Sequence, residues 1–346
     1  MNRGYCVAGH IFQVESSNEQ LLAQMTNYEP FGVNQQDAEP IFVLNIEQKG
    51  LLLEEQRKAY QHVFTDNSED DMPRIEVYRS LEKDWLIRVS QIATSPICCE
   101  LACKSDFTHG TLHIDAECQD VRFCIDNGLM LMYAFRTAPL MTLEMHAAVV
   151  IRDVPRFQGS NGSNGSNGSN GSNGSNGSNG SNGSNGSNGS NGSNGSNGSN
   201  GSNGYLFLGH SGTGKSTHAR QWLAAFEDAW LLNDDNPILR VMNDGQVRVY
   251  GSPWSGKTPC YKNADVPVGA IVKLSQAPHN KLETISLPQA YAYMLSSASG
   301  LKMEQTMADN MFETIKHIIT HTPCYHLACL PNEEAAKVCW DGIKRR

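Results

Sequence analysis

The chain has 346 residues, of which 39% are hydrophobic and 18% charged, and its net charge is −9. Its basic side chains form no block apart from the terminal Lys344-Arg345-Arg346, and no apolar run approaches a bilayer's thickness, so an extended nucleic-acid footprint and a membrane span are both excluded. The segment from Met1 to Phe12 lacks a signal-peptide pattern, which sets the expectation of a cytoplasmic protein.

In chain order, short strand-like runs come first: Tyr5 to Val14, Ile41 to Ile46, Ile75 to Tyr78, Trp85 to Ser90, Thr111 to Ile114 and Val121 to Ile125. Leu21 to Thr26 reads as a short helix. Residues 1–136 therefore read as a β-rich, mostly antiparallel domain that carries no motif of its own. Cys98, Cys99 and Cys103 lie close together but lack paired C-x-x-C spacing and a matching second half. They read as buried thiols in a reducing compartment, with a zinc site as the rival reading. Asn127 to Phe135 and Leu140 to Met145 read as a helical lead-in, and Ala147 to Arg152 as a strand.

Gly159 to Asn203 is fifteen copies of Gly-Ser-Asn, without charge or apolar side chains. Such a segment cannot bury surface to offset ordering entropy, so a flexible coil is expected. A strand precedes it and another follows it, so residues 154–204 read as an insertion at a hairpin tip. Without the repeat the hydrophobic share rises to about 45%, enough for two modest domains.

Beyond the repeat, Tyr205 to Leu208 is an apolar strand, and Thr217 onward is a helix with Ala219, Trp222, Leu223 and Phe226 on one face. Between them stand Gly209, His210, Ser211, Gly212, Thr213, Gly214, Lys215, Ser216 and Thr217, in the pattern G-x-x-x-x-G-K-[ST]. The glycines let successive backbone N–H groups face phosphate oxygens, Lys215 reaches the β and γ phosphates, and the Ser216 hydroxyl ligates Mg²⁺. The following helix adds the positive end of its dipole. A second formal match, Gly251 to Thr258, contains Pro253, which lacks an N–H donor, and no amphipathic helix follows it.

Ala229 to Leu232 is a strand running into Asn233-Asp234-Asp235-Asn236-Pro237. A hairpin follows, with Ile238 to Met242 and Gln246 to Tyr250 about the turn Asn243-Asp244-Gly245. Then come a strand over Gly269 to Leu274, helices over Pro288 to Ser297 and Gln305 to Thr320, a strand over Cys324 to Leu330, and a last helix capped by Asn332. Asp234 and Asp235 sit where a Walker B carboxylate belongs: one can hold Mg²⁺, the other can take a proton from an attacking hydroxyl. His146, just before the Ala147 strand, approaches the phosphates if that strand neighbours the loop. Lys257 is a candidate contact to the γ-phosphate or to an anionic substrate. His317 and His321 have helical spacing without the glutamate of a zinc protease and read as a helix face.

Taken together, Glu144 to Val150, Gly204 to Thr217 and Leu231 to Asp235 resemble the catalytic core of HPr kinase/phosphorylase. Ser211 to Lys215 is also similar to the loop of ATP-dependent phosphoenolpyruvate carboxykinase. The resemblance implies an α+β protein: a β-rich N-terminal domain, then a P-loop α/β domain over residues 137–346 interrupted by the repeat. It implies ATP and Mg²⁺ as cofactors, Lys215 on the phosphates, and Ser216 with Asp234 or Asp235 on the metal. The other aspartate would be the general base, and His146 would lie beside the phosphates. Thr217 replaces that family's glutamate, and Gly251 to Cys260 stands in place of its downstream signature, so neither HPr nor phosphorolysis is expected. The reading is a kinase acting on a hydroxyl of a protein, peptide or small molecule, with no nucleic-acid or membrane partner and with a homo-oligomer compatible. The alternative is a non-catalytic ATP-binding regulatory module.

Overall fold

The computed structural model describes residues 1–34, 39–66, 73–153, 201–256 and 259–345. The chain opens with β1 (Asn2–Val7) and β2 (His10–Glu15), paired antiparallel from Asn2 opposite Glu15 to Val7 opposite His10. The run Tyr5 to Val14, expected as one strand, is thus broken by Ala8 and Gly9, at φ 49° and 75°. A two-residue turn between twisted strands needs left-handed backbone at both positions, which Gly9 adopts without steric cost. Helix α1 (Glu19–Ala23) follows, its first turn capped by Asn18 Oδ1, which accepts from the Gln20 N–H at 3.0 Å. Next come β3 (Gly32–Val33), β4 (Val43–Glu47), α2 (Glu54–Arg57), β5 (Tyr60–Asp66), β6 (Ile75–Ser80), β7 (Trp85–Ser90), β8 (Ile97–Cys103) and β9 (His109–Ile114).

These strands form one nine-stranded sheet in the order β3-β1-β2-β4-β9-β8-β7-β6-β5. It is antiparallel except at β4, which runs parallel to both β2 and β9. Across it lies α3 (Val121–Thr137), started by Asp120 Oδ1 accepting from the Phe123 N–H at 3.0 Å. The expected strand Val121 to Ile125 is the first turn of this helix. A five-residue apolar window cannot distinguish the two periods; over the whole helix Cys124, Ile125, Leu129, Met132 and Tyr133 share a buried face. At Gly128 a Cβ would come within 2.9 Å of Leu112, so glycine sets how closely α3 lies on β9.

The second half adds β10 (Thr142–Glu144), where a helical lead-in was expected, β11 (Ala147–Asp153), β12 (Ser202–Leu208), α4 (Lys215–Ala225), β13 (Ala229–Asp235), β14 (Ile238–Val241), β15 (Val247–Tyr250), β16 (Asp265–Gln276), β17 (Lys281–Thr284), α5 (Leu287–Ser297), α6 (Gln305–His321), β18 (Cys324–Cys329) and α7 (Glu333–Lys344). Its sheet has the order β10-β14-β15-β16-β12-β11-β13, with β18 on the other edge of β16 and β17 beyond it. β11 and β12 are antiparallel neighbours, from Ala147 opposite Leu208 to Asp153 opposite Ser202. Ser202 and Asn203, the end of the last Gly-Ser-Asn copy, therefore belong to a strand.

β12 leads into the phosphate-loop motif, and six of its seven residues are buried. Its edges pair antiparallel with β11 and parallel with β16. Leu206 and Leu208 join a core that continues into α3 and the first sheet, whereas Tyr205 and Phe207 join one built from Trp222 on α4 and Trp340 on α7. A strand covered on both faces reads as a continuous apolar run, and each large side chain so buried contributes roughly 2 kcal/mol. The fold is mixed α/β with two large sheets. Among the described residues no helix is long and apolar enough to cross a membrane.

Candidate functional site

The loop leaving β12 turns at once. A Cβ on Gly209 would come within 2.9 Å of Thr213, and the Thr213 N–H donates to His210 O at 3.2 Å. Gly212 and Gly214 have φ of 73° and 102°, a backbone region that disfavours side chains, and Gly214 is the N-cap of α4. His210 and Ser211 point outward, while Ser216 and Thr217 are half-buried in the first turn of α4.

Lys215 is buried, its Nζ donating to Gly209 O at 2.9 Å and His210 O at 3.2 Å. Burial pulls it below the ordinary lysine range; the Asp235 carboxylate opposes this, Lys273 adds to it, and Asp234 opposes it. Both aspartates are therefore within electrostatic reach of the loop lysine. Beneath the loop, His218 Nε2 accepts from Trp222 Nε1 at 3.0 Å, and burial holds its pKa at about 4.

Three elements bring the remaining groups together. β11 pairs with β13 so that Ala147 stands opposite Asp235, which sets His146 beside that carboxylate. His146 Nε2 lies 3.3 Å from Asp235 Oδ1, and both side chains are a little over a third exposed. Asp234 is 6% exposed. The Asp234 carboxylate is buried while that of Asp235 is partly open, and both act on the charge of Lys215.

The third element is the segment Gly251 to Gly256, the start of the second formal loop match. It is a strap and does not form a phosphate cradle. Asn233 Nδ2 donates to Ser252 Oγ at 3.1 Å and to Trp254 O at 3.0 Å, and Ser252 Oγ donates to Asn236 O at 2.6 Å. The Gly256 N–H donates to Asp234 O at 2.8 Å. A Cβ at Gly256 would crowd Asp235 Oδ2 at 3.3 Å. The first sheet's side of the molecule holds this strap: Asn27 Nδ2 donates to Pro253 O at 2.9 Å, and Trp254 Nε1 donates to Tyr28 OH at 2.7 Å. Lys257, expected to contact a phosphate or an anionic substrate, lies outside the described residues.

A cleft of about 540 Å³ opens beside the loop, between Gly212, Thr213, Gly214 and Thr217 on one side and Leu274, Gln276, Leu330 and Pro331 on the other. Gln276 Nε2 donates to Gly212 O at 3.2 Å across it. A mostly apolar slot of this size against a phosphate loop suits a nucleoside.

Sequence reasoning passed over three residues. Lys273 on β16 is a second cation near Lys215; burial lowers its pKa, and it lies over the Tyr293 ring. Its signal was a lone lysine in the apolar run Ile271 to Leu274. Gln276 closes the cleft. Glu144 is buried, its Oε2 has no hydrogen-bond partner among the described residues, and burial, then the Asp235 charge, hold its carboxyl well above the usual range. No spacing rule marked it, because β10 brings it there by pairing Glu144 with Ile238.

Comparison with protein-family models corrects the expected family. The matching model is the collagen triple helix repeat, in 20 copies, over residues 157–214. Membership in the HPr kinase/phosphorylase family, inferred from the loop and strand motifs, is overturned by that result. The match reflects glycine at every third position from Gly159 to Gly204, with serine and asparagine between and no proline over that stretch. Within the matched span, Ser202 to Leu208 is strand β12. No curated protein matches the chain.

Proposed function

We propose that the protein binds ATP with Mg²⁺ and transfers the γ-phosphoryl group to a hydroxyl of a protein, peptide or small molecule. The observation that carries this reading is the meeting of Lys215 with the Asp235–His146 pair, 3.3 Å apart, at one end of the sheet. The loop amides and Lys215 would hold the triphosphate, and the cleft at Gln276 would take the nucleoside. Ser216 and Asp234 offer the hard oxygen ligands Mg²⁺ requires, and the ion would neutralise charge on the phosphates. The acceptor oxygen forms a bond to the γ-phosphorus as the bond to the bridging oxygen breaks, and ADP leaves. The acceptor's proton passes to Asp235, which His146 orients.

The reading is tested with Asp235→Asn. The amide keeps the shape and removes the proton acceptor, so ATP affinity should persist while transfer from γ-labelled ATP falls by roughly 10²- to 10⁴-fold. Wild-type transfer by the variant would refute the role. Unchanged nucleotide turnover on substituting both aspartates would instead make the protein an ATP-binding module without catalysis.

A further inference from the structure

On β8, Val89 pairs with Cys99 and Ser90 with Ile97, so Cys98 is an extra residue on its strand. A bulge of this kind re-aims side chains that would otherwise alternate across the sheet. The sulfurs of Cys98 and Cys99 consequently converge with that of Cys124, in the first turn of α3, and all three lie within 4.8 Å of one another and are buried. A fourth sulfur stands next to this group, though not within 4.8 Å of all three: Cys118 Sγ is 3.6 Å from Cys124 Sγ. The backbone fixes Cys118 there, its N–H donating to Asp115 O at 3.1 Å and its carbonyl accepting from Gln48 Nε2 at 3.2 Å.

Thiols are weak donors and weak acceptors, so mutual contact gains four of them little. Four thiolates around one tetrahedral cation gain far more, and zinc–sulfur bonds of about 2.3 Å place the sulfurs roughly 3.8 Å apart. We propose that Cys98, Cys99, Cys118 and Cys124 bind one thiophilic cation, zinc being the ion of choice. Cys103, grouped with Cys98 and Cys99 by sequence proximity, is no part of this cluster. As each sulfur–metal bond forms, the thiol's proton is released to solvent. The ion would tie β8 to the start of α3, remote from the phosphate loop.

The test is metal content of the full chain purified under reducing conditions, with cobalt replacement as a spectroscopic reporter. About one zinc per chain is expected, with a thiolate-to-cobalt charge-transfer band after exchange. Cys124→Ser should lose both, and Cys6→Ser on β1 should keep both. If Cys124→Ser does not fold, stripping wild type with a chelator and restoring zinc decides, because a rise in melting temperature on re-addition is required. A folded, reduced wild-type chain that takes up neither zinc nor cobalt overturns the proposal. A Cys118–Cys124 disulfide in the purified protein, with no metal bound, does the same.

Discussion

At Lys215 burial and charge pull in opposite directions, and that balance makes the residue testable. Its ammonium is bonded to two loop carbonyls and reached by two carboxylates, with Lys273 as a competing cation. Removing a charge-assisted contact to phosphate costs about 1.5–3 kcal/mol, so Lys215→Ala should weaken ATP binding by roughly 10- to 100-fold. Lys273→Ala should weaken it less, because Lys273 is not in the loop and its ammonium already lies over the Tyr293 ring. Isothermal titration of both variants settles the order; a larger loss in Lys273→Ala would reassign the phosphate contact. The loop residues could be read from spacing because their chemistry is local: a backbone that bends, then a lysine, then a hydroxyl. Glu144 and Lys273 could not, because each owes its place to a strand register, Glu144 opposite Ile238 and Lys273 opposite Leu208.

Among the elements, those with a strong period or a clear cap were legible. Trp85 to Ser90 is β7 as expected, and α6 follows its helical pattern from Gln305. Failures came where a few residues decide the outcome. Ala8 and Gly9 divide one apparent strand, and Asp120 converts another into a helix start. β8, over Ile97 to Cys103, was missed because cysteine and alanine give a weak strand signal, although five of its seven residues are buried. β17 is a short outer strand with exposed lysine and glutamate, and no period marks it. The β11–β12 pair supports a direct experiment. Replacing Gly159 to Gly201 by an Asn-Gly turn, which spares the paired Ser202 and Asn203, shortens the closed loop to a few residues and reduces closure entropy by roughly 2 kcal/mol. Because β11 and β12 already pair out to Asp153 and Ser202, the shortened chain should fold, melt somewhat higher and bind ATP unchanged. An unfolded product would show that the segment between the strands is needed for their pairing. A fall in oligomeric state would show that the collagen-like repeat joins chains.

Across the whole molecule two long-range effects meet: titration of the buried core and the hold of the first sheet on the site. Burial pulls His10 to about 3, with Arg240 adding to the effect, and pulls His218 to about 4. In the unfolded chain each titrates near 6.5, so between these values the unfolded state binds more protons. Their contribution is complete above about pH 6.5 and is lost as pH falls; for His218 the loss reaches about 2–3 kcal/mol by pH 4.5. Glu144 acts oppositely, because a raised carboxyl contributes below its unfolded pKa and loses that share as pH rises. Urea midpoints from pH 7 to 4.5 should fall, and less steeply in His218→Gln, whose amide can still accept from Trp222. An equal slope in the variant would remove His218 from the account. The hold on the site runs through Tyr28, whose hydroxyl accepts from Trp254 Nε1 at 2.7 Å and donates to Asp126 Oδ1 at 2.8 Å. Trp254 is buried and lies two residues from Gly256, whose N–H bonds Asp234 O. Tyr28→Phe keeps the ring and deletes the hydroxyl, leaving a buried indole N–H unpaired at a cost of about 1–3 kcal/mol. The melting temperature should fall, and the freed strap should lower phosphoryl transfer while ATP affinity, set by the loop on the far side of β13, stays near wild type. Equal losses in affinity and transfer would mean that the first sheet supports the fold generally, with no particular hold on Asp234 and Asp235.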